Sequence, residues 1–359
     1  MPFTKQKSPL ICIIGNGWWG QGLRKILSQH LYNVVVYTSK SHLDSLKQQK
    51  CDLVFECTGD PDVALRVADI CLENKKDLMT VNSEFDSHYG TMYNALFKLR
   101  GVTYSQCYGD QPGTAYKLVS EIGIMGFDPV VVGSCKKFLD EHQDPDGITP
   151  WIKDGQNIEK VVSFADGTKL NIEAAVMCNM LDMYPDIRGM HGMNFTKDEL
   201  IEGFPRVISN PPAVDYTMGV SGMNQEAGVF VVAKLKQKNT KFVNDLEYLK
   251  IGPGPYYLFF RDYHLCYFEA AESVIKFVEL GIPGMQNKHF NADVITYAKR
   301  DMGKGEILDG IGSYDVYGKV DTSINVVEGA YLPIACCRGK QLKYSVSRDS
   351  PITREMVCK

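Results

Sequence analysis

Lysines and carboxylates recur along the chain at spacings that place them on shared faces. In the segment FADGTK (164–169), Lys169 opens a run with helical periodicity, and Glu173 follows four residues later on the same helix face. Asp166 and Thr168 are residue types that start helices. An ammonium beside a carboxylate can stabilise or protonate an alkoxide forming from a carbonyl, and the same spacing also describes a plain surface ion pair. Lys136 and Lys137 follow the apolar run VVVGSC, so they emerge at a strand end; Lys137 is taken with Lys169 as a lysine serving the reacting oxygen. Asp186, Arg188 and His191 sit together in PDIRGMHG (185–192), a loop shaped by Gly189 and Gly192. Arg188 is the residue type that grips an anion bidentately, Asp186 stands beside it as a substrate contact, and His191 is the acid/base candidate. Asn82, Glu84 and Asp110 lie at strand ends and are read as substrate contacts, with helix capping as the plain alternative for Asp110. Glu84, Asp110 and Glu173 would suit a divalent cation if the fold brought them together, so a metal requirement stays open.

These groups need a partner reagent, and the N-terminus supplies a place for one. Residues 11–22 read ICIIGNGWWGQG, giving Gly15-Asn16-Gly17-Trp18-Trp19-Gly20 directly after a buried strand and at the mouth of a helix. The first glycine makes the tight turn, the second admits a pyrophosphate close to the backbone, and the third lets helix and strand pack. The helix N-terminus offers N–H groups to the phosphates. Where an NAD enzyme places an acid at the end of the second strand, this chain has Thr38, Ser39 and Lys40, which accept a 2′-phosphate; NADPH is therefore favoured over NADH. Thr58 and Gly59 end the third strand and face the same cofactor.

The elements that must position these residues follow from periodicity. Short β-branched runs at 9–15, 33–38, 52–57, 77–81 and 101–107 alternate with helical stretches at 23–31, 62–74 and 89–100, the pattern of a doubly wound parallel sheet. A helix at 114–126 and a strand at 129–133 follow. Residues 140–160 read as a connection, 170–182 as a helix, 184–226 as irregular, 228–235 and 256–260 as strands, and 266–280 as a helix. The glycine-punctuated tail from about 291 reads as a small β-rich module. The expected class is α/β: a Rossmann domain over 1–140, a second α+β domain over 141–290, and a tail module over 291–359.

Composition narrows the function further. The 359 residues carry a net charge of −4, which disfavours nucleic acid and anionic membranes as partners. No apolar run is long enough to span a bilayer. Eleven cysteines, an odd number with no CxxC pair, fit a reducing compartment and hence the cytoplasm.

The runs ECTGDP, TVNSEFD, YGDQPG, FADGTK, PDIRGMHG, GPGPYYLFFRDYHL and AKRDMGKGEILDGIGSYDVYG together resemble the homoserine-dehydrogenase-like oxidoreductases with a C-terminal SAF domain. That family includes the reductoisomerase-like enzymes acting on 1-deoxyxylulose 5-phosphate. The resemblance implies NADP(H)-linked carbonyl chemistry on a small anionic substrate such as a sugar phosphate, a catalytic and dimerisation domain over 141–290, a SAF-like tail over 291–359, and a homo-oligomer. Cys135 in GSCKKFLD stands where the family pattern has glycine before lysine, and bulky residues crowd 180–184. Two other readings remain at this stage: a homoserine dehydrogenase of an amino-acid pathway, and an NADPH-binding regulator without turnover.

Overall fold

The structure is a computed structural model that describes residues 8–37, 40–153, 155–219, 228–237 and 239–358, without the side chains of 40 and 41. In chain order the first elements are β1 (Leu10–Ile14), α1 (Trp18–Gln29), β2 (Asn33–Tyr37), β3 (Leu53–Glu56), α2 (Pro61–Glu73), β4 (Leu78–Thr80), α3 (Ser83–Arg100) and β5 (Tyr104–Gln106). There follow α4 (Gln111–Ile124), β6 (Phe127–Cys135), α5 (Pro145–Ile148), α6 (Ile158–Ala165), α7 (Thr168–Leu181) and β7 (Tyr184–Pro185). The remainder is α8 (Leu200–Val207), β8 (Ala213–Thr217), β9 (Val229–Leu235), α9 (Thr240–Tyr248), β10 (Tyr256–Arg261), α10 (Tyr267–Leu280), β11 (Ala292–Ala298), β12 (Val316–Thr322) and α11 (Ser323–Glu328).

Contacts divide the chain into two units. The first comprises residues 1–113 and 264–288. Its five-stranded parallel sheet runs β2-β1-β3-β4-β5. A parallel sheet is covered on both faces, and so its central strands are apolar throughout rather than alternating. Ile11, Ile13, Leu53 and Phe55 point to one face, and Cys12, Ile14 and Val54 to the other. The chain leaves β1 toward β2 on one side and later returns to place β3 on the other. That reversal opens a crevice at the C-terminal ends of β1 and β3, where ligands of such sheets bind. The helix expected at 266–280 is α10, but it belongs to this unit: Ala270, Ala271 and Val274 pack on the Ile11/Phe55 face, and the Tyr267 ring lies where a Cβ on Gly22 of α1 would sit.

The second unit comprises residues 114–263 and 289–359, so the first boundary falls near 113 rather than 140 and the tail closes on this unit. Its sheet runs β10-β9-β6-β8-β7; β6, β8 and β7 are parallel, and β9 is antiparallel to β6 and β10. β11 and β12 form a separate antiparallel pair. Helix α7 lies between the two: Leu170, Ile172 and Met177 share a core with Val132 and Val231 of the sheet and with Val294 and Val320 of the pair. Twelve of its fourteen residues are buried, as befits a helix apolar nearly all round. The stretch 184–226, expected to be irregular, contains β7, α8 and β8, and the connection at 140–160 contains α5 and the start of α6. Helix α9 escaped the sequence reading because it is short and buries no residue fully; Leu246 alone is packed against the core, and only partly.

Candidate active site and cofactor cradle

In unit 1, the fingerprint forms the turn it predicts. Gly15 has φ +116°, a conformation that suits glycine, and its N–H donates to the Tyr37 carbonyl. A Cβ on Gly20 would lie 2.0 Å from the Gly15 carbonyl oxygen, so only glycine lets α1 approach β1 this closely. Around Gly17 a Cβ would meet nothing within 4 Å, leaving open space at the helix mouth. Gly17 caps α1 without a side-chain hydrogen bond, and the first turn has no acidic residue. The N–H groups of Trp18 and Trp19 thus face neither a capping side chain nor a competing negative charge. This arrangement fits a dinucleotide pyrophosphate. The Asn16 carbonyl accepts from Gln21 Nε2 at 2.9 Å, tying the turn to the helix.

Across the crevice, Thr58 is fixed by a buried carboxylate that the sequence reading did not single out. Glu56, 1% exposed, accepts from the Thr58 N–H at 2.7 Å, from the Thr58 hydroxyl, and from Thr80 Oγ1 at 2.8 Å. Burial raises its carboxyl above the usual range, against the pull of these bonds. The signal for it was an acid closing an otherwise apolar strand, LVFE. Asn82 does not end a strand as expected. It caps α3, accepting from the Phe85 N–H at 3.1 Å, because β4 stops at Thr80 and the helix starts at Ser83. Glu84 is buried in the first turn of α3. Asp110 accepts from Gly113 N–H at 3.0 Å and from Ser83 Oγ at 3.2 Å, the capping role. Thr38 and Ser39 lie outside the described residues, as does the side chain of Lys40.

In unit 2, the polar residues of α7 divide by task. Thr168 Oγ1 accepts from Gly318 N–H, Asn171 Oδ1 accepts from Val320 N–H, and Asn179 Oδ1 accepts from Asn291 and Ala292 N–H. These stitch the helix to the β11–β12 region. Lys169 and Glu173 lie elsewhere on the helix. Lys169 Nζ is 3.9 Å from Glu173 Oε1, and Lys136 Nζ, at the end of β6, is 3.9 Å from Glu173 Oε2. Glu173 is 4% exposed, and its Oε2 has no hydrogen-bond partner. Lys137, the lysine favoured from sequence, is exposed one residue further on. The strand's alternation and the Lys136 N–H bond to the Thr217 carbonyl turn Lys136 inward instead. Burial depresses the Lys136 ammonium pKa; Glu173 opposes this and Lys169 adds to it.

The loop 185–192 contains two pairs. His191 Nε2 is 2.9 Å from Asp186 Oδ2. Burial works against ionising Asp186, but bonds from Ser209 N–H, His191, Asn210 N–H and the Asn210 side chain outweigh it and hold the carboxyl below its usual range. Asp215 fixes the loop from beneath by accepting from the backbone N–H groups of His191, at 3.1 Å, and Gly192, at 3.0 Å. Like Glu56, it is an acid inside an apolar strand and was missed for the same reason. Arg188 departs from the anion grip expected of it. Its Nε is 2.6 Å from Asp321 Oδ2, its Nη1 donates to Tyr297 OH at 3.0 Å, and its guanidinium lies over the Tyr331 ring. Its charge is already matched inside the fold. Among the described residues no three His, Cys, Asp or Glu side chains are placed to hold a metal ion; Glu84 and Asp110 lie in unit 1, and Glu173 lies in unit 2 between lysines.

Residues 109–270 match the family model described as Oxidoreductase DRL, catalytic domain. The span contains Lys136, Lys169, Glu173, Asp186, Arg188 and His191. No curated protein matches the chain. Among solved structures, the chain is similar to homoserine dehydrogenase of S. aureus, at 10% identity with 90% of this chain and 97% of that one covered, TM-score 0.44. It is similar to a homoserine dehydrogenase of Thiobacillus denitrificans at 10% identity, 96% and 98% covered, TM-score 0.41. It is also similar to 1-deoxy-D-xylulose 5-phosphate reductoisomerase of Zymomonas mobilis in complex with NADPH, at 10% identity, 48% and 58% covered, TM-score 0.33. Among the described residues no helix is long and apolar enough to cross a membrane. The chain is an oxidoreductase, and its residues 109–270 are similar to the DRL catalytic domain.

Proposed function

We propose that the chain reduces the carbonyl of a small anionic substrate, a sugar phosphate or a related keto-acid, with NADPH bound at Gly15–Gly20. The reduced nicotinamide, when bound, supplies the hydride. The observation that carries this reading is the buried Glu173 between Lys136 and Lys169 on a helix whose other polar residues are committed to packing. Both lysines stand just beyond hydrogen-bond range of the carboxylate. That gap suits a substrate oxygen that accepts from an ammonium while a neighbouring hydroxyl donates to Glu173. As the carbonyl carbon takes the hydride, the oxygen gains charge and Lys136 gives it a proton. A lysine with a depressed pKa is a better proton donor than an exposed one. The positive excess of two lysines over one glutamate favours an anionic substrate. His191, oriented by Asp186, serves as a second proton carrier at the substrate.

The test is a spectrophotometric assay of NADPH oxidation against ketose phosphates, keto-acids and aldehydes, with homoserine and NADP as the reverse-direction control. Turnover of at least one carbonyl substrate, lost in Lys169→Ala and Glu173→Gln, supports the reading. Tight NADPH binding with no turnover across the panel would reject it.

A further inference from the structure

The first turn of α1 carries two tryptophans at the mouth of the cofactor cradle. Trp19 packs against the Ile11/Phe55 core. Trp18 does not: it is 63% exposed. An indole left in water forgoes the stabilisation that burial gives. The ring is nonetheless held in place. Its centroid lies 5.0 Å from that of Tyr267, edge to face at 75°, and 6.4 Å from that of Trp19. Tyr267 is seated against Gly22, where a Cβ would lie 2.5 Å from its ring, and it stacks on Phe268 at 4.7 Å. Phe268 is 57% exposed. All of these residues belong to unit 1. A fixed aromatic patch facing solvent thus joins the first turns of α1 and α10, and a contiguous apolar patch of this kind marks a contact surface.

The position of Trp18 selects one half of a dinucleotide. It follows Gly17, around which a Cβ would meet nothing within 4 Å. A pyrophosphate at that turn sends the adenosine half toward the end of β2 and the nicotinamide half toward β3 and β4. Helix α10 starts on the second side. The Cys266 N–H donates to the Gly109 carbonyl at 2.9 Å, and the Tyr108 N–H donates to Ser273 Oγ at 2.8 Å, which ties the first turns of α10 to the loop after β5. Trp18 leans on Tyr267 of that helix, so it stands on the nicotinamide side of the turn. An indole suits a planar heteroaromatic ring, to which it offers a large face at little cost in side-chain freedom.

We propose that Trp18 is a positioning residue whose ring packs against the nicotinamide ring of the bound dinucleotide. This rests on the reading that NADPH binds at Gly15–Gly20. Its test is calorimetric titration of the full chain with NADPH and with 2′-phospho-ADP-ribose, which lacks the nicotinamide ring. Wild type, Trp18→Ala, Trp18→Leu and Trp18→Phe are compared. Trp18→Ala and Trp18→Leu should each weaken NADPH by at least about fivefold, the usual worth of a stacked ring. Both should bind 2′-phospho-ADP-ribose as the wild type does. Trp18→Phe should restore most of the NADPH affinity, because it returns a planar ring, whereas leucine returns only apolar bulk. The exposure of Trp18 leaves the melting temperature of the free protein unchanged in all three. Wild-type NADPH affinity in Trp18→Ala and Trp18→Leu overturns the proposal and leaves the cofactor reading intact; a changed oligomeric state in those variants would then assign the patch to a second copy of the chain. Equal weakening of both ligands also overturns it, since the ring would then serve the turn or the adenosine half. Failure of the wild type to bind either NADPH or NADH removes this inference and the cofactor reading together.

Discussion

At the scale of single residues, the environment of Lys136 makes a signed prediction. Burial lowers its ammonium pKa and Glu173 partly restores it. Reduction, which needs the protonated lysine, should therefore fall as pH rises through a midpoint below 10.5, the ordinary lysine value. Glu173→Gln removes the restoring charge and should shift that midpoint lower still, in addition to slowing turnover. Lys136→Ala should cost about 10²–10⁴ in kcat, the usual worth of a positioned proton donor. Pre-steady-state rates across pH check both; an unmoved midpoint in Glu173→Gln would separate Glu173 from the lysine. A second residue-scale prediction concerns Asp86, buried in unit 1. Burial, aided by the Asp110 charge, pushes its carboxyl up to about 7, against the hydrogen bonds of Tyr104 and Asn287. The folded protein thus holds a proton that the unfolded chain releases near 3.8. Stability from this group is full below the unfolded value and lost as pH rises through about 7. The total swing is on the order of 4 kcal/mol at most. Asp86→Asn should flatten the pH dependence of denaturant midpoints between these values; Asn287, whose Oδ1 has no partner, can turn to accept from the new amide.

At the scale of elements, the glycine turn and α7 behave differently under substitution. Gly20→Ala puts a Cβ 2.0 Å from a backbone oxygen and should destabilise unit 1 outright, visible as a lowered melting temperature. Gly17→Ala meets no protein atom and keeps an ordinary φ of −74°, so the fold should survive while cofactor affinity falls. Asn171→Leu strands the buried Val320 N–H and should cost about 1–3 kcal/mol, read by chemical denaturation. These elements were legible in the sequence because each has its own local pattern: glycine spacing for the turn, and a mostly apolar run of helical length around Lys169 and Glu173 for α7. Lys136 could not be separated from Lys137 by pattern, because the choice rests on which residue the β6–β8 register turns inward. Glu56 and Asp215 were hidden by their own strands, where an apolar run masks a single acid. Arg188 was read as a ligand grip because its partner Asp321 lies far along the chain, at the end of β12, where no spacing rule reaches.

At the scale of the whole molecule, the α/β class and the parallel N-terminal sheet follow from the alternation of strands and helices. The division into units does not. Helix α10 belongs to unit 1 although more than a hundred residues of unit 2 precede it, and the tail pair β11–β12 buries α7 instead of standing apart. Both are non-contiguous arrangements that only tertiary packing decides. Calorimetric titration of NADPH into the wild-type chain and into Gly17→Ala tests the central claim most directly. The account predicts one-to-one binding by the wild type, and binding weakened more than about tenfold in a variant that melts at the same temperature. No heat of binding with NADPH or NADH, or equal affinity in the two proteins, would contradict it.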